Sequence, residues 1–289
     1  MRQAISGLFA ATARNTFGNG HERLVGEFSP DAPGGGVRPW IPVAVSFKAC
    51  AVALAFSHHP AAALLAFFAP DPWIFMQFVL ARSQAFGPAV TRFATPRREV
   101  WLTIDDGPHP ESTPAVLELL RGHGARATFF LVGEQVRSHP ELARRIAAEG
   151  HGIGNHTLSH PAWSFWSALP GRTAHEIDGC VAALLLSNAP FQRLFRPPVG
   201  VRNPFLDPLL ASRGMRLVLW SARGFDGGRR RPPAALRAIS RGIRPGAILL
   251  AHEGGPGASR RREFLALLLD HLSREGYSCV IPEDGDLRC

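Results

Sequence analysis

Two adjacent carboxylates, Asp105 and Asp106, close the apolar and β-branched run Val100-Trp-Leu-Thr-Ile and stand on a Gly107-Pro108 turn. A buried strand ending there delivers both acids to one sheet edge, where sites in α/β folds are usually built. Neighbouring strand residues point to opposite sides, so the two acids can hold different jobs. Alone, the pattern more often reads as a strand that ends in a polar turn with one Asp capping the next helix. A second signal, Gly154-Asn-His-Thr-Leu-Ser-His-Pro161, changes the weighing. His156 and His160 are four apart, so one helical turn sets them on the same face. They also follow a short strand, at the sheet end that carries the two acids. Two imidazoles and one carboxylate make a catalytic metal set with positions left open for water and substrate.

Three further groups converge on that edge. Arg196, in Phe195-Arg-Pro-Pro-Val-Gly200, closes a strand before a turn stiffened by two prolines, and can orient a carboxylate bidentately. Trp220-Ser-Ala-Arg-Gly-Phe-Asp226 puts Trp220 at a strand end and Asp226 on the following loop. Four apolar residues, Ile248 to Ala251, deliver His252 to the rim. Each alone reads as a surface arginine, a core tryptophan or a structural histidine; five polar features on one edge read as an enzyme.

The elements that must position these residues alternate. Apolar runs at 99–104, 126–132, 152–155, 193–196, 215–220, 247–251 and 278–281 read as strands. Helical patterns lie between them at 113–123, 139–149, 173–187, 204–213, 233–241 and 259–275. Such alternation predicts an α/β fold with a parallel sheet and helices outside, and seven strands suggest a barrel-like sheet. Ahead of it the chain divides into an irregular segment 1–39, ending in the Pro/Gly-rich Asp31–Pro39, an apolar segment 40–82 and a polar connector 83–98. The first residues hold little apolar beyond Ile5, Leu8 and Phe9, too little for a secretory signal. Residues 40–57 and 61–81 are each near the roughly 20 apolar residues that span a bilayer. They read as a helical hairpin turning at Ser57-His-His-Pro60, though Lys48 and Pro70-Asp71-Pro72 are costly in hydrocarbon and also suit interfacial helices. Arg38 before the pair, with Arg82, Arg92, Arg97 and Arg98 after it, places both flanks and the following domain on the cytoplasmic face of a bacterial inner membrane.

The 289 residues are 46% hydrophobic, enough for one large domain with an appendage. The net charge of +9 is almost wholly arginine, with Lys48 the only lysine. No aromatic-basic motif accompanies the arginines, so nucleic acid is not an expected partner. The four cysteines have neither zinc-ribbon nor disulfide-framework spacing.

At this point the chain resembles the polysaccharide deacetylases, the carbohydrate esterase family 4 or NodB-like enzymes. Thr103-Ile-Asp-Asp-Gly-Pro, His156-Thr-Leu-Ser-His160, Arg196-Pro-Pro-Val-Gly, Trp220 through Asp226 and Leu250-Ala-His252 match its five motifs in order, over roughly 99–285 of a deacetylase domain 99–289. The resemblance implies a distorted (β/α) barrel, a divalent metal, usually zinc with cobalt able to substitute, and hydrolysis of N-acetyl groups on an amino-sugar polymer or glycolipid. It further implies that Asp106, His156 and His160 bind the metal and that Asp105 is the general base, held by Arg196. His252 is then the general acid, tuned through Asp226, while Pro198, Val199 and Trp220 line the substrate. The backbone N–H of Val199 would join the metal in stabilising the oxyanion.

Val199 stands where the family commonly has Tyr, and Ser221, Arg223 and Gly227 replace acids and a Trp of the fourth motif. These departures bear on sugar selectivity more than on the chemistry. Two rivals are weighed against this reading. A two-His-one-carboxylate iron oxygenase normally places a His two residues before its acid on an all-β fold, whereas here the acid precedes both histidines by about 50 residues. A membrane-bound glycan-binding module without activity would fit the altered fourth motif, but both acids and His252 are present.

Overall fold

The computed structural model describes residues 40–80 and 83–289. The irregular segment 1–39 and the flanking Arg38 and Arg82 lie outside the described residues. The apolar segment forms α1 (Trp40–Phe56), α2 (Pro60–Phe68) and α3 (Asp71–Val79). The turn at Ser57–His59 folds α2 back along α1. The second apolar run is thus two nine-residue helices, not one. Pro70 and Pro72 lack the N–H groups that would continue α2. Among the described residues no helix is long and apolar enough to cross a membrane. Lys48 and Asp71, the only Lys, Arg, Asp or Glu between 40 and 80, satisfy each other. Lys48 Nζ lies 3.0 Å from Asp71 Oδ1, donates to the Phe67 carbonyl at 2.7 Å and sits 3.9 Å from the Phe67 ring centre.

The remainder runs β1 (Arg92–Phe93), β2 (Glu99–Gly107), α4 (Ser112–Gly122), β3 (Ala127–Leu131), α5 (Gly133–Ser138), α6 (Pro140–Ala148) and β4 (Gly152–Asn155). Then follow α7 (Pro170–Ser187), β5 (Leu194–Phe195), α8 (Leu206–Ala211), β6 (Arg216–Leu217), β7 (Ala222–Arg223), α9 (Pro232–Ser240), β8 (Ile248–His252), α10 (Ala258–Arg274), β9 (Ser278–Cys279) and β10 (Leu287–Arg288). Seven strands in the order β6-β5-β4-β3-β2-β8-β7 form a curled parallel sheet. This is the distorted (β/α) barrel expected from the sequence, with one exchange of membership. The run 215–220 yields only β6, the residues 222–223 supply β7, and 278–279 pairs beside the start of β2.

The stretch 83–98, a connector by composition, is built into the fold. Ala89, Val90 and Phe93 are buried. Val90 bridges to Val218, and β1 pairs antiparallel with β10. Burial of that short apolar set is what holds the stretch in place.

Strand alternation sorts the core. Val100, Leu102 and Ile104 on β2, Phe129 on β3 and Leu249 and Ala251 on β8 pack with the helices in one cluster, which includes Leu117 and Leu120 of α4 and Leu265 and Leu268 of α10. Trp101, Phe130, Ile248 and Leu250 point the other way, into a second cluster with Phe195 and Trp220. Thr103 and Asp105 follow Trp101 on that second face.

Candidate active site

Strict alternation would turn Asp106 away from Asp105 and into the helix layer. The chain avoids this with a register irregularity between Asp105 and Gly107, where Asp106 takes a left-handed φ of 76°. Asp106 thereby faces the same mouth as Asp105. A Cβ at Gly107 would strike the Glu253 carboxylate, so any larger residue there would have to displace it.

The histidines arrive on a loop. No helical turn joins them; Thr157 and His160 have φ of 69° and 52°, so the same-face argument from helical spacing is corrected. Side chains hold this loop instead. Asn155 accepts from the Thr157 N–H at 2.9 Å, and the buried Glu176 accepts from the Ser159 N–H and hydroxyl at 2.9 and 2.7 Å. His156 Nε2 and His160 Nε2 then lie 3.6 and 3.3 Å from Asp106 Oδ1. The three ligand atoms all fall within 4.8 Å of one another. His156 Nδ1 is engaged at 2.8 Å by the Arg196 carbonyl, which turns Nε2 toward Asp106. Two imidazole nitrogens and a carboxylate oxygen, oriented from behind, are a donor set suited to a divalent transition metal.

Burial would raise Asp106, but hydrogen bonding to His156 and the neighbouring His252, His156 and His160 outweigh it and hold the group well below the usual carboxylate range. His160 is lowered, first by burial and then by His156. Both directions favour the forms that bind a metal, an ionised acid and a neutral imidazole.

Asp105 sits beside this set, its Oδ2 3.8 Å from His156 Nε2. Arg196 is wholly buried and donates from Nη1 to Asp105 Oδ1 at 2.7 Å and to Thr103 Oγ1 at 2.8 Å. The contact with Asp105 is through one nitrogen rather than bidentate. Nε and Nη2 are committed to the carbonyls of Val218 and Leu219, and the guanidinium lies 4.1 Å from the Phe130 ring centre. Across the mouth, His252 pairs in register with Asp105 on the adjacent strand. Asp226 Oδ1 is 3.1 Å from His252 Nδ1, and Asp226 Oδ2 accepts from the His252 N–H at 2.9 Å. Burial lowers His252, yet the charge and hydrogen bond of Asp226 prevail and raise it to about 9.

The remaining residues read from the sequence differ in exposure, with Trp220 packed in the second core cluster. Pro198 is buried, Val199 is exposed on the turn with φ 52°, and Trp220 packs so close to Gly200 that a Cβ there would enter its ring. Two residues escaped the sequence reading. Glu253 is buried beneath the Asp105-Asp106 loop; both its oxygens accept from Thr113 Oγ1 at 2.9 Å, and burial raises it to about 8. Arg261 donates to the Glu253 and Gly254 carbonyls at 2.9 and 2.6 Å and reaches within 3.9 Å of Asp106 Oδ2. Their only trace in the sequence is adjacency to His252 and membership of an arginine run, neither of which carries a role.

The polysaccharide deacetylase family model matches residues 93–218. Over 194 residues the chain is 38% identical to a chitooligosaccharide deacetylase of Bradyrhizobium sp. (strain ANU 289), covering 62% of this chain and 87% of the relative. It is 35% identical over 182 residues to a peptidoglycan-N-acetylglucosamine deacetylase of Bacillus cereus, covering 62% of this chain and 84% of that one. Among solved structures, BA3943, a CE4 family pseudoenzyme from Bacillus anthracis, superposes with a TM-score of 0.60 at 26% identity, over 66% of each chain.

Proposed function

This chain belongs to the polysaccharide deacetylase family, and on that premise we propose that it removes N-acetyl groups from an amino-sugar glycan, a chito-oligosaccharide or peptidoglycan, with a divalent metal, zinc first, held by Asp106, His156 and His160. It is a hydrolase of carbon–nitrogen amide bonds. Likeness to a pseudoenzyme shows that the fold alone does not decide activity. The observation that carries the reading is therefore local: three metal-type ligand atoms within 4.8 Å, flanked by an arginine-held Asp105 and an aspartate-held His252.

A divalent metal held by Asp106, His156 and His160 would supply Lewis-acid chemistry there, lowering the pKa of water and polarising the acetyl carbonyl. Asp105, oriented by Arg196, accepts the proton of the attacking water. The N–H of Val199 donates to the oxygen that gains charge, and Pro198 and Trp220 line the substrate. His252, raised to about 9, carries a proton at neutral pH and gives it to the departing amine, while Asp226 fixes its Nδ1. The test is mass spectrometry of N-acetylated chito-oligosaccharides and peptidoglycan fragments, looking for loss of acetyl. Chelation should abolish that loss and zinc or cobalt restore it. Full turnover by thoroughly stripped protein would refute the metal reading.

We also infer that the apolar helices hold the enzyme against a membrane, with the catalytic domain on the cytoplasmic side. Phe56, Leu65, Phe68, Trp73 and Phe75 are all more than half exposed. The paired Lys48 and Asp71 leave these helices without net Lys, Arg, Asp or Glu charge. Exposed apolar side chains on helices whose one lysine is neutralised suit a lipid interface. The full-length protein should float with liposomes after detergent-free lysis. Recovery in the soluble fraction would refute the attachment, and a C-terminal reporter active only outside the cytoplasm would refute the sidedness.

A further inference from the structure

Beside His252 the barrel rim carries a cationic and aromatic shelf that the deacetylation chemistry does not use. On β7, Arg223 pairs in register with Leu250, which faces the second core cluster, while Ala222 faces the helices. Arg223 therefore shares the strand face that leads, two residues further along β8, to His252. Its guanidinium carbon lies 4.2 Å from the Phe225 ring centre and 5.5 Å from that of Trp220. Arg230 lies 4.9 Å from the same Phe225 ring. Phe225 is 46% exposed and holds a left-handed φ of 61°, a costly conformation for a bulky residue. The next residue is Asp226, which grips His252, and a Cβ on Gly227 would sit 3.4 Å from the His252 ring.

Among the described residues Arg97, Arg145, Arg196, Arg213, Arg216 and Arg261 stand within ion-pair distance of acids, and no such pair engages Arg223 or Arg230. Burial lowers Arg223 with no charge partner to offset it. Two like charges held on one aromatic ring repel each other, and stacking has already removed much of their rotamer freedom. Guanidiniums so prepared gain most from an anion, since charge-assisted arginine hydrogen bonds to phosphate or carboxylate are the strong ones.

The chemistry says which part of a substrate passes here. His252 protonates the amine, so the sugar that keeps the nitrogen lies on the His252 side and the acetyl group lies toward the metal ligands. A neutral oligosaccharide offers two guanidiniums at that place only neutral hydroxyl and amide acceptors, weaker partners than an anion. We propose that Arg223, Phe225 and Arg230 form a subsite for an anionic group, a phosphate or a carboxylate, carried by the substrate close to its N-acetylated sugar. The inference rests on the deacetylase reading and narrows its substrate class.

The test uses the metal-loaded full chain and three probes: a neutral N-acetylated chitotriose, the same trimer phosphorylated at its reducing end, and a disaccharide whose second sugar carries a lactyl carboxylate. The ratio of kcat/KM for an anionic probe to the neutral one should exceed about tenfold, chiefly through KM, and should shrink as salt rises. In R223Q/R230Q that ratio should fall roughly tenfold. Because it is a ratio within one protein, partial loss of folded enzyme cancels. Whichever anionic probe keeps the preference identifies the source of the charge. A wild-type ratio near one with both probes, or a ratio unchanged in the double variant, overturns the subsite. Calorimetric binding of the same probes reads the preference without turnover. Absence of acetate from every probe therefore sinks the deacetylase reading, while binding still decides the shelf.

Discussion

Asp105→Asn should lose roughly 100- to 10,000-fold in kcat while the protein keeps its metal, and Asp106→Asn should lose the metal as well. The two acids are adjacent in sequence but differently engaged. Asp105 Oδ1 is taken up at 2.7 Å by the Arg196 guanidinium, while His156 is engaged separately by the Arg196 backbone carbonyl. Asp106 Oδ1 is 3.3 and 3.6 Å from two imidazole nitrogens. An amide at 105 preserves shape and still accepts from Arg196, so only the proton acceptor is removed. An amide at 106 removes the anionic ligand itself. Its cost in affinity should exceed the roughly 10- to 100-fold typical of lost outer-shell partners. Metal content after dialysis, measured beside kcat for both variants, distinguishes them. Equal metal affinity with equal loss of activity would contradict the division.

Arg196→Leu should abolish turnover and cost the fold about 3–5 kcal/mol. Arg196 is 0% exposed and makes hydrogen bonds to Asp105, Thr103 and the carbonyls of Val218 and Leu219, besides lying on the Phe130 ring. Removing it strands a buried carboxylate and several buried acceptors, each of which costs more unpaired than the pair contributes when intact. Arg196→Lys retains the charge but not the fork that serves four partners at once, and should fall between wild type and the leucine variant. Urea midpoints report the stability term, and acetate release the catalytic one. A leucine variant as stable as wild type would mean that the network is dispensable to the fold.

Much of the site was legible before any fold was known, because strand ends and turns write themselves locally. The apolar run before Asp105, the prolines after Arg196 and the four apolar residues before His252 each announce a polar group at a sheet edge. Alternation of strand-like and helix-like runs sufficed for a curled parallel sheet, since hydrophobic period is a local property. The same locality explains the misses. Strand 222–223 and the pairing of 92–93 are two residues long and depend on partners far along the chain. No local period marks them.

Residue types and order were enough to nominate the groups that the fold brings together: two acids, two histidines, an arginine, and a further histidine with its aspartate. Only the folded chain decided how they meet. Asp106 reaches the metal-type set because the backbone breaks step at the end of β2 and turns to φ 76°, against the strand alternation that its position implies. His156 and His160 converge through a loop braced by Asn155 and Glu176, not through a helical turn. Glu253 became visible beneath Gly107, and Arg223 beside Phe225, once β8 and β7 lay next to each other. Chemistry belongs to side chains and is therefore written in the sequence. Geometry at a site belongs to long-range packing and backbone strain, which no short stretch of residues determines.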